Sequence, residues 1–254
     1  MSLDLNSVSE QLTTAFVGRR IVYRASIPST QDLARKEAEA GAPEGTAVLA
    51  DEQTAGRGRL GRSWASPPGT NIYVTLVARP RIEALRPLSI IAPLAAAQAV
   101  EETTGLSPQI KWPNDVLLNE RKLAGVLIDT EVSGSEVEYS LVGIGLNVNL
   151  DVERIPEIAD IATSLKRELG RQVSREAVLA ALLNRFEALY VDSGPAVLEA
   201  WRARLQTLGR HVRVTFGEQV EEGLAEDVDA EGSLILRRAD GSRVTIAAGE
   251  VTLR

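Results

Sequence analysis

After Gly209 the sequence consists of five short β-type segments separated by turn signals, such as those at residues 229–232 and 240–241. Several short strands with glycine and aspartate between them are typical of a small β-barrel. The residues before Gly209 instead combine strand patterns with amphipathic helix patterns. The sequence therefore predicts two domains: an α+β domain over residues 1–207 and a small all-β domain over residues 208–254.

Within the larger domain, the spacing of apolar residues separates helices from strands. Helical spacing predicts four helices, at residues 29–40, 88–103, 174–191 and 196–208. Alternating or β-branched segments predict strands at residues 19–25, 46–52, 71–78, 109–118, 122–130 and 137–148. The last three are consecutive strands with short connections.

The composition excludes several classes of protein. The 254 residues include no cysteine and a single histidine, His211, which excludes disulfides, thiolate catalysis and multi-histidine metal sites. A net charge of −7 gives no general attraction to nucleic acid or to an anionic membrane. No apolar run of about 18 residues is present, and residues 1–11 do not look like a signal peptide. The expected location is the cytoplasm.

The segment G-R-G-R-L-G-R at residues 56–62 must be a loop, and it predicts an anion site. Its arginines repel one another, while its glycines free backbone N–H groups, so a bound phosphate or carboxylate would stabilise it. The alternative is a mobile surface loop. The segment also fits G-x-G-x-x-G, but Pro67 and Pro68 follow where a dinucleotide-binding fold needs a helix, so that interpretation fails.

Two further segments contain lysine beside residues that suit a ligand. In K-W-P-N-D at residues 111–115, Pro113 interrupts a strand. The polar and aromatic residues around it could bind a nucleotide, or the segment could be a β-bulge with a core tryptophan. In R-K-L-A-G-V-L at residues 121–127, simple alternation predicts Lys122 on one face of the strand and Gly125 on the other.

Two other segments are ambiguous when each is taken alone. G-I-G-L-N-V-N at residues 143–149 permits the close approach of a ligand, or else it is a twisted central strand. S-T-Q-D at residues 29–32 is explained as a helix N-cap, and it also places donors where a small polar ligand could bind.

In their order and spacing, these five motifs resemble the biotin–protein ligase family. The resemblance covers most of the chain, from about Ser29 to Asn149, and the small C-terminal β-domain also fits. It implies an α+β fold in which a mixed β-sheet with packed helices precedes an SH3-like β-barrel. It also implies an ATP-dependent ligase that adenylates biotin to biotinoyl-5′-AMP and transfers biotin to a lysine of a biotin carboxyl carrier protein. The carrier is typically part of acetyl-CoA carboxylase, and ATP enters with Mg²⁺.

The resemblance also implies a role for individual residues. The catalytic residues would be Lys122, Arg59 and Asp115. Biotin would be bound by Ser29, Thr30, Gln31, Gln53, Arg57, Gly58, Arg59, Lys122 and Gly125. ATP would be bound by Arg57, Arg59, Arg62, Trp64, Lys111, Asn114 and Asn147. No residue is expected to belong to a protein-held metal site, and the loop at residues 56–62 is expected to order around the adenylate as a lid.

The chain departs from the family pattern at two places. Gln31 stands where asparagine is common, which adds a methylene to an amide side chain. Only about 28 residues precede the S-T-Q-D motif, too few for the helix-turn-helix domain of the family's repressor members, so neither that domain nor nucleic-acid binding is expected. The expected partners are the carrier protein, biotin and ATP, without a membrane. The family admits a homodimer, which the sequence does not reveal.

Three other functions remain as alternatives. A lipoate or octanoate ligase or transferase shares the core, and G-R-G-R-L-G-R with K-W-P-N-D favours biotin over it. A regulator that holds biotinoyl-AMP without turnover is disfavoured by the presence of Lys122 and the full arginine set. A nucleic-acid-binding barrel is disfavoured by the acidic residues of the C-terminal region.

Overall fold

The computed structural model describes residues 2–253, so positions 1 and 254, the outer limits of the two predicted domains, lie outside the described residues. The first sheet contains seven strands: β1 (Ile21–Ile27), β2 (Ala47–Gln53), β3 (Ile72–Ala78), β4 (Gln109–Lys111), β5 (Asp115–Leu118), β6 (Arg121–Ser133) and β7 (Glu136–Leu146). Their order is β1-β2-β3-β7-β6-β5-β4. Strands β1 and β2 pair in parallel and the other pairs are antiparallel, which confirms the predicted mixed sheet.

The α-helices in the described part of the chain are α1 (Leu5–Gln11), α2 (Thr30–Glu39), α3 (Leu88–Thr104), α4 (Leu165–Leu169), α5 (Arg175–Val191) and α6 (Pro195–Arg202). Helix α3 packs on one face of the sheet and α5 packs on α3, which together bury the main hydrophobic core. Helix α2 covers part of the opposite face, where Ala34 and Ala38 contact Val48 and Val77. No helix within residues 2–253 has the length and apolar character needed to cross a bilayer.

The helix ends follow from local chemistry that the sequence predicts. Ser29 is the N-cap of α2, and its Oγ accepts a hydrogen bond from the Gln31 backbone N–H at 3.3 Å. Ser174 caps α5 in the same way. Helix α3 ends at Gly105, whose φ of 74° is the left-handed conformation that terminates many helices. Pro93 lies buried inside α3, yet the helix begins at Leu88 as predicted.

Two predicted elements were wrong in extent. Residues 109–118 form two antiparallel strands rather than one, because the chain turns between Lys111 and Asp115 and β5 returns beside β4. The helix predicted at residues 196–208 ends at Arg202, because the following residues bond to β4 instead: the Gln206 N–H donates to the Ile110 carbonyl at 2.9 Å. Helices α1 and α4 were not predicted.

The remaining strands form a separate antiparallel sheet: β8 (His211–Phe216), β9 (Gln219–Val228), β10 (Leu234–Arg237), β11 (Arg243–Ile246) and β12 (Glu250–Leu253). Their order is β11-β10-β9-β8-β12. This confirms the expected small all-β unit after the mixed sheet. The Trp112 indole, which is fully buried, donates its N–H to the Gly232 carbonyl at 2.9 Å and so joins the two sheets. Trp112 is therefore a core residue, as the simpler interpretation of its motif predicts.

Candidate active site

Three glycines lie side by side on the face of the first sheet that α2 leaves open. In the antiparallel ladder Gly125 of β6 pairs with Gly145 of β7, and Leu127 pairs with Gly143. Directly paired residues point to the same face, as do residues two apart on a strand. This part of the sheet therefore presents bare backbone, and a cavity of about 550 Å³ lies above it.

Every residue that the motifs nominate lines this one cavity. The predicted site residues around it are Ser29, Thr30, Gln31, Gln53, Arg57, Gly58, Arg59, Arg62, Trp64, Lys111, Asn114, Asp115, Lys122, Gly125 and Asn147. They come from the start of α2, from the ends of β2 and β4, from the turn into β5, from the first half of β6, from residues 57–64 and from the residue after β7. Tertiary folding thus brings together motifs that are far apart in the chain, whereas the role of each residue stays a prediction.

The face predicted for Lys122 was wrong. Val116 pairs with Ala124 but the next residue, Leu117, pairs with Lys122, so Leu123 is an extra residue in β6. This β-bulge turns Lys122 onto the face that carries Gly125. Strict alternation would have directed the ammonium group away from the cavity, and the bulge directs it in.

The Lys122 ammonium forms an ion pair with Asp115 and lies over an indole. Its Nζ is 2.7 Å from Asp115 Oδ1 and 5.3 Å from the centre of the Trp64 ring. The indole rests on the glycine floor: a Cβ added at Gly145 would lie 2.6 Å from the ring, and one at Gly125 would lie 3.0 Å from it. A side chain at Gly145 would displace the ring, and one at Gly125 would require it to shift by a few tenths of an ångström. The indole N–H is buried and has no hydrogen-bond partner among the described residues.

The arginines of the loop at residues 56–62, called the lid below, are bonded to other parts of the protein. Arg57 pairs with Asp32 at 2.6 Å, and Arg62 pairs with Glu250 of β12 at 2.8 Å. Each of these carboxylates stands where an anionic ligand would compete for the guanidinium group. The lid is therefore attached to α2 by one ion pair and to β12 by another.

Arg59 enters the cavity from the lid and is held on two sides. It donates to Asn114 Oδ1 at 2.6 Å and to the Gly249 carbonyl at 3.2 Å. Asn114 in turn donates to the Val126 carbonyl at 2.6 Å, so its amide orientation is fixed. The K-W-P-N-D turn thus positions an arginine rather than only forming a bend.

Polar side chains close the end of the cavity beside α2. Gln53 Oε1 accepts hydrogen bonds from the Thr30 backbone N–H at 2.9 Å and from the Thr30 hydroxyl at 3.0 Å. Gln31 donates from Nε2 to the Leu127 carbonyl at 3.3 Å, and its Oε1 is buried with no partner among the described residues. Because only the NH₂ group can face a carbonyl, the free atom is the acceptor.

The electrostatics of the cavity favour an anion. Burial lowers the pKa of the Arg59 guanidinium and of the Lys111 ammonium, and neighbouring Asp115 partly opposes both shifts. The neighbouring cations Lys122 and Arg62 lower the pKa of Lys111 further. A negatively charged ligand stabilises cations that are crowded together and partly desolvated.

Asn147 differs from the other predicted residues because its amide is already used. It is buried, its Oδ1 accepts from Asn71 Nδ2 at 3.1 Å, and its Nδ2 donates to the Thr163 carbonyl at 3.0 Å. The structure shows Asn147 holding the end of β7 against the segment at residues 158–163. A contact with nucleotide stays a prediction.

Two parts of the cavity wall were missed by the sequence analysis. One is the loop segment that contains Ile158, Asp160, Ile161 and Ala162, and the other is the start of β12 from Glu250 to Thr252. Neither carries a motif. The first is attached to the site by the Lys122 N–H, which donates to the Ile161 carbonyl at 2.8 Å. In the described residues no group of three or more Asp, Glu or His side chains is suited to a metal ion.

Comparison with known proteins agrees with this arrangement. The profile of the biotin/lipoate A/B protein ligase family matches residues 23–147, and that of the biotin protein ligase C-terminal domain matches residues 207–254. The chain is 40% identical to the biotin–[acetyl-CoA-carboxylase] ligase of Paracoccus denitrificans over 79% of this chain and 88% of that protein. It is 34% identical to the ligase of the same name from Mycobacterium tuberculosis, over 98% and 95% of the two chains.

A solved structure is similar over nearly the same extent. The biotin protein ligase from Aquifex aeolicus in complex with biotin and ATP superposes with a TM-score of 0.81 at 32% identity, covering 93% of this chain and 99% of that chain. The sequence relatives, the profile matches and the superposed fold thus agree over both sheets. The chain therefore belongs to the biotin–protein ligase family.

Proposed function

We propose that the protein activates biotin with ATP and transfers it to a lysine of a biotin carboxyl carrier protein, as in acetyl-CoA carboxylase. The observation that carries this proposal is the convergence of Arg59, Lys111 and Lys122 on one cavity with a backbone floor. A carboxylate and a triphosphate repel each other, and positioned cations offset both that repulsion and the charge that develops during reaction. Biotin and ATP are the ligands named for the similar Aquifex aeolicus structure.

In the first step, an oxygen of the biotin carboxylate attacks the α-phosphorus of ATP. A new C(O)–O–P bond forms, the bond from the α-phosphorus to the bridging oxygen of the β-phosphate breaks, and pyrophosphate leaves. We assign the Lys122 ammonium to the space between the biotin carboxylate and the α-phosphate. Arg57 and Arg59 contact the same two anionic groups. Lys111 and Arg62 neutralise the triphosphate. For Arg62 this requires the phosphates to displace Glu250, its present partner.

At the other end of the cavity, hydrogen-bonding side chains receive the ureido ring of biotin. Thr30 and Gln53 are joined by hydrogen bonds, Ser29 lies beside them as the N-cap of α2, and Gln31 adds an unpaired acceptor. A buried acceptor without a partner is costly, and a ligand N–H removes that cost. The extra methylene of Gln31, compared with asparagine, lets the amide reach the Leu127 carbonyl while its oxygen stays free.

In the second step, the lysine amine of the carrier attacks the carbonyl carbon of biotinoyl-5′-AMP. A C–N bond forms, the C–O bond to the phosphate breaks, AMP leaves, and the amine loses a proton to solvent. Asp115, paired with Lys122, lies beside the reacting groups. Mg²⁺ enters as part of the nucleotide substrate, since such ions are commonly held by phosphates with one or two carboxylates.

Several broader features belong to the same proposal. We assign catalysis to the domain at residues 1–207 and support of the lid to the domain at residues 208–254, because Gly249 and Glu250 bond to lid arginines. We propose a cytoplasmic protein without a nucleic-acid partner, consistent with its net charge of −7. A homodimer remains a proposal that light scattering with and without ligand tests.

The decisive test of the proposed function is biotin-dependent exchange of labelled pyrophosphate into ATP. We expect exchange with biotin and none with lipoate or octanoate. Exchange with lipoate and not with biotin would leave the assignment of the site unchanged but would show that lipoate is the substrate. If well-folded protein with Mg²⁺ shows no exchange with biotin, lipoate or octanoate, the protein does not catalyse adenylation and the proposal is wrong.

The affinity for the Mg²⁺ complex of an ATP analogue that cannot be cleaved between the α- and β-phosphates, measured with biotin bound, is expected to fall as the pH rises from neutral to alkaline. The ammonium form of Lys111 attracts phosphate, and burial lowers the pKa of Lys111, so this charge is lost at a lower pH than for an exposed lysine. Calorimetric titration at several pH values measures the effect. In Lys111→Arg the charge persists, and the affinity is expected to stay level over the same range. An equal decline in both proteins would refute the assignment of Lys111.

Trypsin is expected to cleave the ligand-free lid after Arg57, Arg59 or Arg62, and biotin with ATP is expected to protect it. The ion pairs of the lid with Asp32 and Glu250 are exposed and therefore weak, which leaves the hydrogen bonds of Arg59 as the firmer attachment. The adenylate offers phosphate and carbonyl oxygens to the same arginines. Mass spectrometry of the fragments locates each cut, and equal cleavage in both states would contradict a ligand-ordered lid.

A further inference from the structure

A second cavity lies where the two sheets meet, beside the K-W-P-N-D turn. This junction cavity has a volume of about 310 Å³ and is lined by the start of α3, by β6, by α6 and by two turns of the second sheet. Binding sites for small molecules commonly have volumes of about 300–1,000 Å³ and lie at the boundaries between structural units. The reaction proposed above places neither biotin nor ATP in the junction cavity.

The wall of the junction cavity is largely aromatic and apolar. It includes Trp112 and Trp201, which are each 1% exposed, together with Val126 and Ile128 of β6. The indole N–H of Trp201 is buried and has no hydrogen-bond partner among the described residues. A buried donor without an acceptor is costly. The wall therefore favours a ligand with an apolar body, and it contains one donor that the protein itself does not satisfy.

The rim of the junction cavity carries two side chains of opposite charge. Arg86 lies just before α3 and Glu231 lies in the turn before β10, and both are exposed and line the cavity. Within residues 2–253 neither side chain forms a hydrogen bond or an ion pair, so the two do not neutralise each other. Glu231 would repel a simple anion and Arg86 would repel a simple cation, whereas a molecule with a carboxylate and an ammonium group complements both.

We propose that the junction cavity binds a small zwitterion with an apolar body, the chemical class of a free aromatic or branched-chain amino acid. Arg86 receives the carboxylate of this ligand, Glu231 receives its ammonium group, and its side chain packs against the apolar wall. The ligand is thus recognised by three features that the cavity supplies from separate parts of the chain. Its binding does not depend on the reaction proposed above.

The junction cavity shares part of its wall with the candidate active site, because Arg59 and Asn114 line both cavities. The Arg59 guanidinium donates to Asn114 and to the Gly249 carbonyl, and these contacts occupy donors that a carboxylate or phosphate would otherwise use. A ligand packed against Asn114 and Ala248 holds Arg59 in that arrangement. It therefore inhibits adenylation, and by linkage biotin and ATP weaken its binding. This inhibition, unlike the binding itself, rests on the proposed function.

Binding is measured by tryptophan fluorescence in Trp64→Phe. The chain has three tryptophans, and this substitution removes the one that does not line the junction cavity, which leaves Trp112 and Trp201 as reporters. The probes are phenylalanine, phenylpropionate, which lacks the ammonium group, and phenethylamine, which lacks the carboxylate. We expect a saturable change with phenylalanine and weaker binding of both analogues. Calorimetric titration of the wild type measures the same affinities without the substitution.

Two variants separate the two charges. Arg86→Gln is expected to weaken the binding of phenylalanine and phenylpropionate by about tenfold, the usual effect of losing one charged hydrogen bond, without weakening phenethylamine. Glu231→Gln is expected to weaken phenylalanine and phenethylamine without weakening phenylpropionate. The matched controls are Arg81→Gln and Glu83→Gln. Both residues are exposed, lie outside both cavities and form no side-chain hydrogen bond or ion pair in the described part of the chain, so wild-type affinities are expected.

Inhibition is measured by biotin-dependent pyrophosphate exchange in protein that retains Trp64. Phenylalanine is expected to slow exchange in the wild type. In Arg86→Gln and in Glu231→Gln about tenfold more phenylalanine is expected to be needed for the same inhibition, with exchange in the absence of phenylalanine unchanged. Neither residue lines the candidate active site, so this difference separates the junction cavity from direct competition with biotin or ATP.

Several results would overturn the inference. The absence of saturable binding of phenylalanine would exclude this class of ligand, and equal affinity for all three probes would show that only the apolar body is recognised. Inhibition of undiminished strength in Arg86→Gln and Glu231→Gln would place phenylalanine in the active site instead. Binding without any change in exchange would refute the coupling through Arg59. If the wild type shows no biotin-dependent exchange, the proposed function fails while the binding result stands.

Discussion

Replacing Lys122 with alanine is expected to slow adenylation by about 10²–10³-fold, which corresponds to roughly 2.7–4 kcal/mol of lost transition-state stabilisation. The bulge in β6 directs this ammonium into the cavity, where it pairs with Asp115 at 2.7 Å and lies over Trp64. Without the ammonium group, the two substrate anions lose its attraction and are also repelled by the unpaired carboxylate of Asp115. Both effects raise the electrostatic energy of the transition state. Biotin-dependent pyrophosphate exchange under saturating substrates measures the change.

The chain offers a matched control for this substitution. Lys166 forms an ion pair of nearly the same length, 2.6 Å to Asp151, and its side chain is exposed to a similar extent, 34% against 32% for Lys122. Lys166 does not line the cavity. We expect Lys166→Ala to keep the wild-type exchange rate, and wild-type exchange in Lys122→Ala would show that the assignment of Lys122 is wrong.

Replacing Arg175 with methionine is expected to lower the free energy of unfolding by about 3–5 kcal/mol, the usual result of removing one partner of a buried ion pair. Arg175 opens α5 and bonds to Asp51 of β2 at 2.9 Å, and both side chains are at most 10% exposed. It also donates to the Asn71 carbonyl at 3.3 Å, just before β3. The Tyr23 hydroxyl, which donates to Asp51 Oδ2 at 2.6 Å, would not balance the charge of the carboxylate that stays behind.

Chemical denaturation measures this loss, which is large compared with a typical total stability of about 5–15 kcal/mol. The control is Arg185→Met, because Arg185 pairs with Glu102 at 2.7 Å on the surface, where both side chains are nearly half exposed. Exposed pairs contribute about 0–1 kcal/mol. Adding Asp51→Leu to Arg175→Met is expected to recover stability, since no unpaired charge then stays buried; equal losses in the Arg175 and Arg185 variants would refute the argument.

The sequence predicts much of the fold because its signals are local. Serine caps, glycine stops and apolar spacing determine where α2, α3 and α5 begin and end, and these depend on near neighbours in the chain. The division of residues 109–118 into β4 and β5 was missed because both halves have strand character. Only the pairing of Lys111 with Asp115 shows that the chain reverses there.

The site shows the same division between local and long-range information. The motifs nominate residues that all line one cavity, because their glycine, arginine and lysine content is itself the chemical signal. The face of Lys122 depends on an extra residue, Leu123, that is visible only from pairing with β5. Asp160 and Glu250 reach the cavity through tertiary folding and lie in segments without a motif, so no pattern in the sequence could nominate them.

The glycine floor of the cavity has a consequence for inhibition and resistance. A compound that displaces the Trp64 indole from Gly125 and Gly145 touches main-chain atoms, and no single substitution can remove a main-chain contact. A substitution at these positions only adds bulk, which narrows the space for the natural ligand as well as for the inhibitor. Escape from such a compound would then have to arise in the lid, where side chains make the contacts.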